Sequence, residues 1–241
     1  SYIASGDFIY DDSDQNFIMF RDERLGGKWR FSVWDAESSF GSEEHDVNTD
    51  WTEEVLLDDS RSFSSEKSII RTVFRRAYQN AEFRMLFADR VQRAFGPDGP
   101  FTSVKLNTTL AEINAPLAAA QSAWLGTEPN IAPTLAWFAA RETIQLAQWS
   151  ALGLWPSITA PSANPPGGAL SPGDTVTLSN PNSGGALLFT LDGSDPRAEG
   201  GATASGASTY TAALSLPTGG TLKARVLVGG NWSPLLEFVY A

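Results

Sequence analysis

The 241-residue chain has no cysteine, a single histidine and two methionines. Without cysteine it can carry neither a disulfide framework nor a thiolate metal site, although this leaves the compartment open, because many bacterial surface proteins also lack cysteine. Bases are scarce: 17 Lys and Arg stand against 28 Asp and Glu, a net charge of -11. That sign argues against a nucleic-acid partner. No stretch reaches the roughly 18 to 20 continuous apolar residues that a bilayer-spanning helix needs, and no charged-then-apolar leader opens the chain. The first residue is Ser1, with no initiating Met, so the chain reads as a processed or excised piece. An apolar content of 42% is enough to build one large or two modest domains.

The charge is unevenly spread. Residues 1–60 hold 16 acids and 4 bases, whereas residues 61–100 hold 4 acids and 8 bases. An acidic lobe suits cation binding, and a basic helical segment beside it suits internal ion pairing or an anionic partner. Within the acidic part, an Asp-rich stretch from Asp7 to Asn16 precedes the apolar run Phe17–Phe20. Gly26 and Gly27 mark a tight turn, and a second run, Trp29–Val33, leads into Trp34-Asp35-Ala36-Glu37 and Phe40-Gly41. This pattern predicts a β-hairpin with carboxylates at the strand ends, an arrangement able to bring Asp11, Asn16, Asp35 and Glu37 around one divalent cation. Alternation places Asp35 and Glu37 on one side of the strand exit and Trp34 and Ala36 on the other. Like charges so close favour a cation between them, Mg2+ or Ca2+. Asp12, Asp14, Asn16 and Glu23 also fall at calcium-loop positions one, three, five and twelve. Phe17 stands where that loop needs Gly, however, so a non-helical site fits these acids better.

Asp11 and Asn16 have the D-x-x-x-x-N spacing of a kinase catalytic loop, and W-D-x-E-x-x-F-G from Trp34 to Gly41 resembles the W-D-x-D-x-x-F-G segment of the spore coat protein H (CotH) kinases. The resemblance extends over about residues 1–155, with its sharp part at residues 6–41. It implies an atypical protein-kinase-like fold with Asp11 as catalytic base, Asn16 and Asp35 as metal ligands and Glu37 as an accessory carboxylate. Asp7, Asp12 and Asp14 remain alternatives for the base, because the loop from Gly6 to Asn16 is longer than usual. No His-Arg precedes Asp11, and Glu37 stands where the family has Asp. The Gly-rich cover and phosphate-binding Lys of a kinase have no counterpart before Asp7. The chain is therefore expected to be the carboxyl-terminal part of a larger protein, missing the upstream kinase lobe and inactive alone.

Beyond the hairpin, residues 42–62 are polar and acidic and contain the only histidine, His45. They read as a surface excursion with a solvated histidine. From Ser64 the period becomes helical, with Ile69, Ile70, Val73, Phe74 and Tyr78 on one face. Asn80 can cap a second helix with Phe83, Leu86, Phe87, Val91 and Phe95 as its apolar side, stopped by the Gly96–Pro100 segment. Arg71, Arg75, Arg76, Arg84, Arg90 and Arg93 on these helices read as a solvated, ion-paired face. A third helical region spans about 102–124, with a kink or fresh start expected at Pro116. Pro133 opens a fourth that carries Leu135, Phe138, Ile144, Leu146 and Trp149. Arg141 in that apolar pattern is placed to anchor a buried carboxylate.

Composition changes at Trp155-Pro156. Residues 157–241 hold 5 acids and 3 bases, and alternating runs at 175–178, 186–190, 221–228 and 235–240 are separated by Gly and Pro turns. They predict a small antiparallel sandwich. The run Phe189-Thr-Leu-Asp-Gly-Ser-Asp-Pro196, with the Lys223–Arg225 strand and Phe238–Tyr240, is similar to the chitobiase/beta-hexosaminidase carboxyl-terminal domain, an immunoglobulin-like accessory module. In that setting Asp192, Ser194 and Asp195 form a structural turn. Trp232, beside Gly229-Gly230, is a candidate for sugar stacking.

The resulting expectation is an α+β chain. Residues 1–156 form the helical carboxyl-terminal lobe of a kinase-like fold with a short hairpin, and residues 157–241 form an all-β immunoglobulin-like sandwich. The functional expectation is a bacterial extracellular or cell-surface protein kinase using Mg2+ and ATP, with a protein substrate. The alternative is a non-catalytic surface module that contacts a protein or polysaccharide.

Overall fold

The structure, a computed structural model, describes residues 17–21, 24, 26–27, 29–33, 47–50, 52–57, 69–97, 99–127 and 130–241. It is α+β. Two strands, β1 (Phe17–Arg21) and β2 (Trp29–Val33), precede four helices, α1 (Ile69–Tyr78), α2 (Ala81–Phe95), α3 (Ser103–Leu125) and α4 (Ala132–Ala151). Strands β3 (Ser162–Asn164), β4 (Thr175–Ser179), β5 (Ala186–Thr190), β6 (Ser208–Thr209), β7 (Leu214–Ser215), β8 (Gly220–Val228), β9 (Asn231–Trp232) and β10 (Leu236–Tyr240) follow. Among the described residues no helix is long and apolar enough to cross a membrane. The chain divides into two compact units, Ser1–Asn80 with Leu106–Leu152 and Ala81–Lys105 with Gly153–Ala241.

In the first unit β1 and β2 pair antiparallel, from Arg21↔Trp29 at the turn end to Phe17↔Val33 at the open end. Gly26 and Gly27 have φ of 84° and 64°, the left-handed backbone that makes glycine the suitable residue in this turn.

Helix α4 holds the segment around residue 50 through several side-chain hydrogen bonds. Its buried ridge is Trp137, Arg141, Gln145 and Trp149, one residue per helical turn, with Phe138 alongside. Arg141 is fully buried. Its guanidinium donates to the carbonyls of Val47 and Thr49 and to Gln145 Oε1, and it lies 5.7 Å from the centre of the Trp137 ring. Gln148 Nε2 donates to the Asn48 carbonyl at 2.7 Å, and the Trp149 indole N–H donates to Thr52 Oγ1 at 3.0 Å. Asp50 Oδ1 accepts the N–H groups of Thr52 and Glu53 at the head of a π-helical turn, Thr52–Leu57. Residues 47–49 are thus held through their carbonyls by side chains of α4, and Thr52 is only 1% exposed. Arg141 grips the backbone carbonyls of this segment. No fresh start occurs at Pro116, and α3 runs through it.

The second unit contains the sandwich. One sheet has the order β10-β8-β5-β6 with β9 also on β8, and the other has the order β3-β4-β7, all antiparallel. Alternation does the sorting: in β4, Val176 and Leu178 point inward and their neighbours outward. Leu187, Leu222, Ala224, Val226, Leu236 and Tyr240 meet them from the opposite sheet. Each fully buried aliphatic side chain contributes about 1.5–3 kcal/mol. Gly229 and Gly230, φ 55° and 87°, close the two-residue hairpin between Val228 and Asn231, where both central residues need positive φ.

Replacing Arg141 by Met keeps the apolar stem and removes the donors, leaving the Val47 and Thr49 carbonyls unpaired in a buried setting. At about 1.5–3 kcal/mol for a hydrogen bond to a charged group, urea unfolding of the Arg141→Met variant should show a loss of at least about 2 kcal/mol. An unchanged midpoint would contradict the gripping role.

Candidate functional site

Of the residues that sequence reasoning selects, Asp11, Asn16, Asp35 and Glu37 lie outside the described residues, as do Asp7, Asp12, Asp14, Glu23 and His45. Among the described residues no three His, Asp or Glu side chains are gathered to hold a metal. The charged constellation that the structure does describe lies in the second unit, on the outer face of the larger sheet.

It is generated by β8. Leu222, Ala224 and Val226 point into the sandwich, so alternation sends Lys223 and Arg225 to the opposite face. Helix α2 and the 191–206 segment cover that face, and Arg225 ends with 1% of its side chain exposed. Each of its N–H groups is answered. Nε donates to Asp195 Oδ1 at 2.8 Å, Nη2 to Asp195 Oδ2 and Asp89 Oδ2 at 2.6 Å each, and Nη1 to Asp89 Oδ1 and the Ser233 carbonyl at 2.8 Å each. Two carboxylates therefore hold one guanidinium in the paired, planar geometry that suits arginine. Asp89 has a further task, since its Oδ1 also accepts the Leu235 N–H at 2.8 Å. Burial would raise the Asp195 carboxyl, but the hydrogen bonds and charge of Arg225 outweigh it and hold the group below the usual aspartate range.

A second clamp lies near the start of α2. Arg197 donates through Nη1 and Nη2 to the two oxygens of Glu82 at 2.6 and 2.7 Å, and the Gly200 N–H adds a bond at 3.0 Å. The Arg197 hydrogen bonds, reinforced by Gly200 and charge, pull the Glu82 carboxyl down to about 2. A third pair, Arg93 with Glu237, is solvent-facing, and Lys223 approaches Glu237 at 3.8 Å.

The Asp-Gly-Ser-Asp run forms a turn as expected. Asp192 Oδ1 accepts the N–H and the hydroxyl of Ser194, and Asp195 Oδ1 accepts the Arg197 N–H. Asp195 adds the Arg225 contact, a second role that its turn signature conceals. Trp232 is not a sugar platform: it is 4% exposed and its indole donates to the Gly201 carbonyl at 2.7 Å. Pairing with Leu227 on the covered face of the sheet is what buries it.

Sequence reasoning overlooked Asp89, Glu82 and Arg225. Of the apolar face expected for α2, Phe83, Leu86, Phe87, Val91 and Phe95, Val91 is buried while Leu86 is 51% exposed, and Ala88 is buried beside it. The signal that could have found the clamp is the pair of cations on alternate positions of a central strand, since a face carrying Arg225 must be covered by matching acids.

Beside the clamp, α2 and β10 enclose a groove of about 540 Å3 that also touches Gly96, Pro97 and the 166–168 segment.

Asp89→Ala would leave the buried Arg225 half-compensated and should cost about 3–5 kcal/mol. Arg93→Ala breaks an exposed pair and should cost at most about 1 kcal/mol. Equal midpoints for the two variants in denaturant would refute this ranking. Because the folded-state pKa of Glu82 lies below the ordinary 4.5, its contribution is complete above pH 4.5 and is lost as pH falls from there towards 2. Stability measured across that interval should fall less steeply in Glu82→Gln than in the parent chain.

No curated protein and no solved structure matches the chain. Residues 165–235 match the family model of the chitobiase/beta-hexosaminidase C-terminal domain, in agreement with the two-sheet sandwich found there.

Proposed function

We propose that the chain supplies the catalytic loop and magnesium-binding acids of a secreted or surface CotH-like protein kinase, with the sandwich as its accessory module. In this reading Asp11 orients the acceptor Ser or Thr hydroxyl and takes its proton. Asn16 and Asp35 hold Mg2+ against the ATP phosphates, and Glu37 is an accessory carboxylate. Phosphoryl transfer depends chiefly on positioning and charge neutralisation, and amide and carboxylate oxygens are the donors that a hard divalent cation selects.

The supporting observation is the register of the hairpin. Its ladder ends at Phe17↔Val33, and in the sequence Asn16 immediately precedes Phe17 while Asp35 follows Val33 by two residues. Both assigned metal ligands therefore continue from the same end of one hairpin. A register shifted by one residue would reverse which side chains share a face.

The second reading is a non-catalytic surface or adhesion module. The family match at residues 165–235 favours it, because an accessory domain requires no activity from its neighbour.

Calorimetric titration of Mg2+ and ATP into the full-length parent protein distinguishes the two. The kinase reading expects saturable binding that weakens at least about tenfold, some 1.4 kcal/mol, in Asp35→Ala. Absence of heat from the parent, or equal affinity in both proteins, would favour the adhesion module.

A further inference from the structure

The groove between α2 and β10 is lined by residues of the second unit. Its 540 Å3 falls within the roughly 300–1,000 Å3 typical of small-molecule sites. Three cations line it, Arg90, Arg93 and Lys223, together with Asp89, Asp195 and Glu237. The two aspartates are hydrogen-bonded to Arg225, and Glu237 pairs with Arg93 and, more distantly, Lys223. Arg90 is exposed and, among the described residues, carries no ion pair.

The backbone contributes as well. The Leu235 N–H donates to Asp89, the Val239 carbonyl accepts from the Gly168 N–H, and the Ala241 N–H donates to the Gly168 carbonyl. Odd-numbered residues along this edge therefore turn their backbone groups away from β8. Glu237 has the same parity and lines the groove, so its N–H also turns away from β8. Leu86 and Val239, 51% and 63% exposed, supply apolar wall beside this polar floor. The net charge of -11 opposes an approaching anion only weakly, because at 0.15 M ionic strength charges beyond about 8 Å are screened. The local cations decide.

We propose that this groove binds a small molecule bearing an oxyanion, a carboxylate, phosphate or sulfate, held by Arg90, Arg93, Lys223 and the Glu237 N–H. Glu237 acts as an internal competitor that the ligand displaces from Arg93.

Titration calorimetry on the whole chain at low and at 0.2 M salt tests this with three probes, inorganic phosphate, inorganic sulfate and digalacturonate, and with maltose as the neutral control. At least one anion should saturate in the millimolar range or tighter and weaken at the higher salt, and which one does so identifies the oxyanion. Charge-assisted hydrogen bonds of this kind set an expected loss of about tenfold or more in Arg90→Ala/Lys223→Ala. Glu237→Gln should bind more tightly, a change of sign that a folding defect cannot mimic. Failure of all three anions to saturate, binding of maltose as tight as that of the anions, or unchanged affinity in the double variant would overturn the assignment.

Discussion

One buried cation organises the second unit. Removing a guanidinium from water costs several kcal/mol even after relaxation, and Arg225 meets that cost by donating to Asp89, Asp195 and the Ser233 carbonyl. These partners come from three places: a helix 136 residues earlier in the chain, the turn after β5, and the segment after β9. The same atom of Asp89 that receives Arg225 also receives the Leu235 N–H, so the clamp fixes the entry to β10 as well. Loss of any one partner leaves the charge under-compensated, which is why the helix, the turn and the strand are energetically linked. The clamp contributes a definite register between α2 and the sheet rather than net stability over an apolar replacement. Only one alignment presents both carboxylates to the guanidinium.

This arrangement changes what the accessory module comprises. The matched family segment covers residues 165–235, yet the compact unit around it also takes in Ala81–Lys105. Helix α2 covers a sheet face that would otherwise expose Arg225, and the groove beside it exists only because the helix is there. On the face closed by α2, Trp232 is buried, and the groove beside the helix presents cationic, acidic and apolar side chains.

Regular elements were legible where periodicity was long enough to detect. The helices and the strands at Thr175–Ser179, Ala186–Thr190, Gly220–Val228 and Leu236–Tyr240 lie close to where alternation and helical spacing put them. Strands of two or three residues, such as β6, β7 and β9, carry no measurable period and escaped notice. The segment around residue 50 looks like solvent-facing loop because its charge is high, and the side chains that satisfy its Val47, Asn48 and Thr49 carbonyls lie about a hundred residues away on α4. The ionic part of the α2 contact was hidden for a related reason. Apolar spacing points to an oil-like interface, whereas an ionic contact is visible only when the charges on β8 and on α2 are considered together. For Asp11, Asn16, Asp35 and Glu37 the assignment rests on spacing, resemblance and the hairpin register.

Tied through Arg225, α2 and the sandwich should open as one cooperative unit. Native-state hydrogen exchange measures this directly, because amides that open together share one opening free energy. Amides of residues 85–95 and of β8 should show matching protection and the same dependence on denaturant. Exchange of α2 at low denaturant while β8 remains protected would contradict the account.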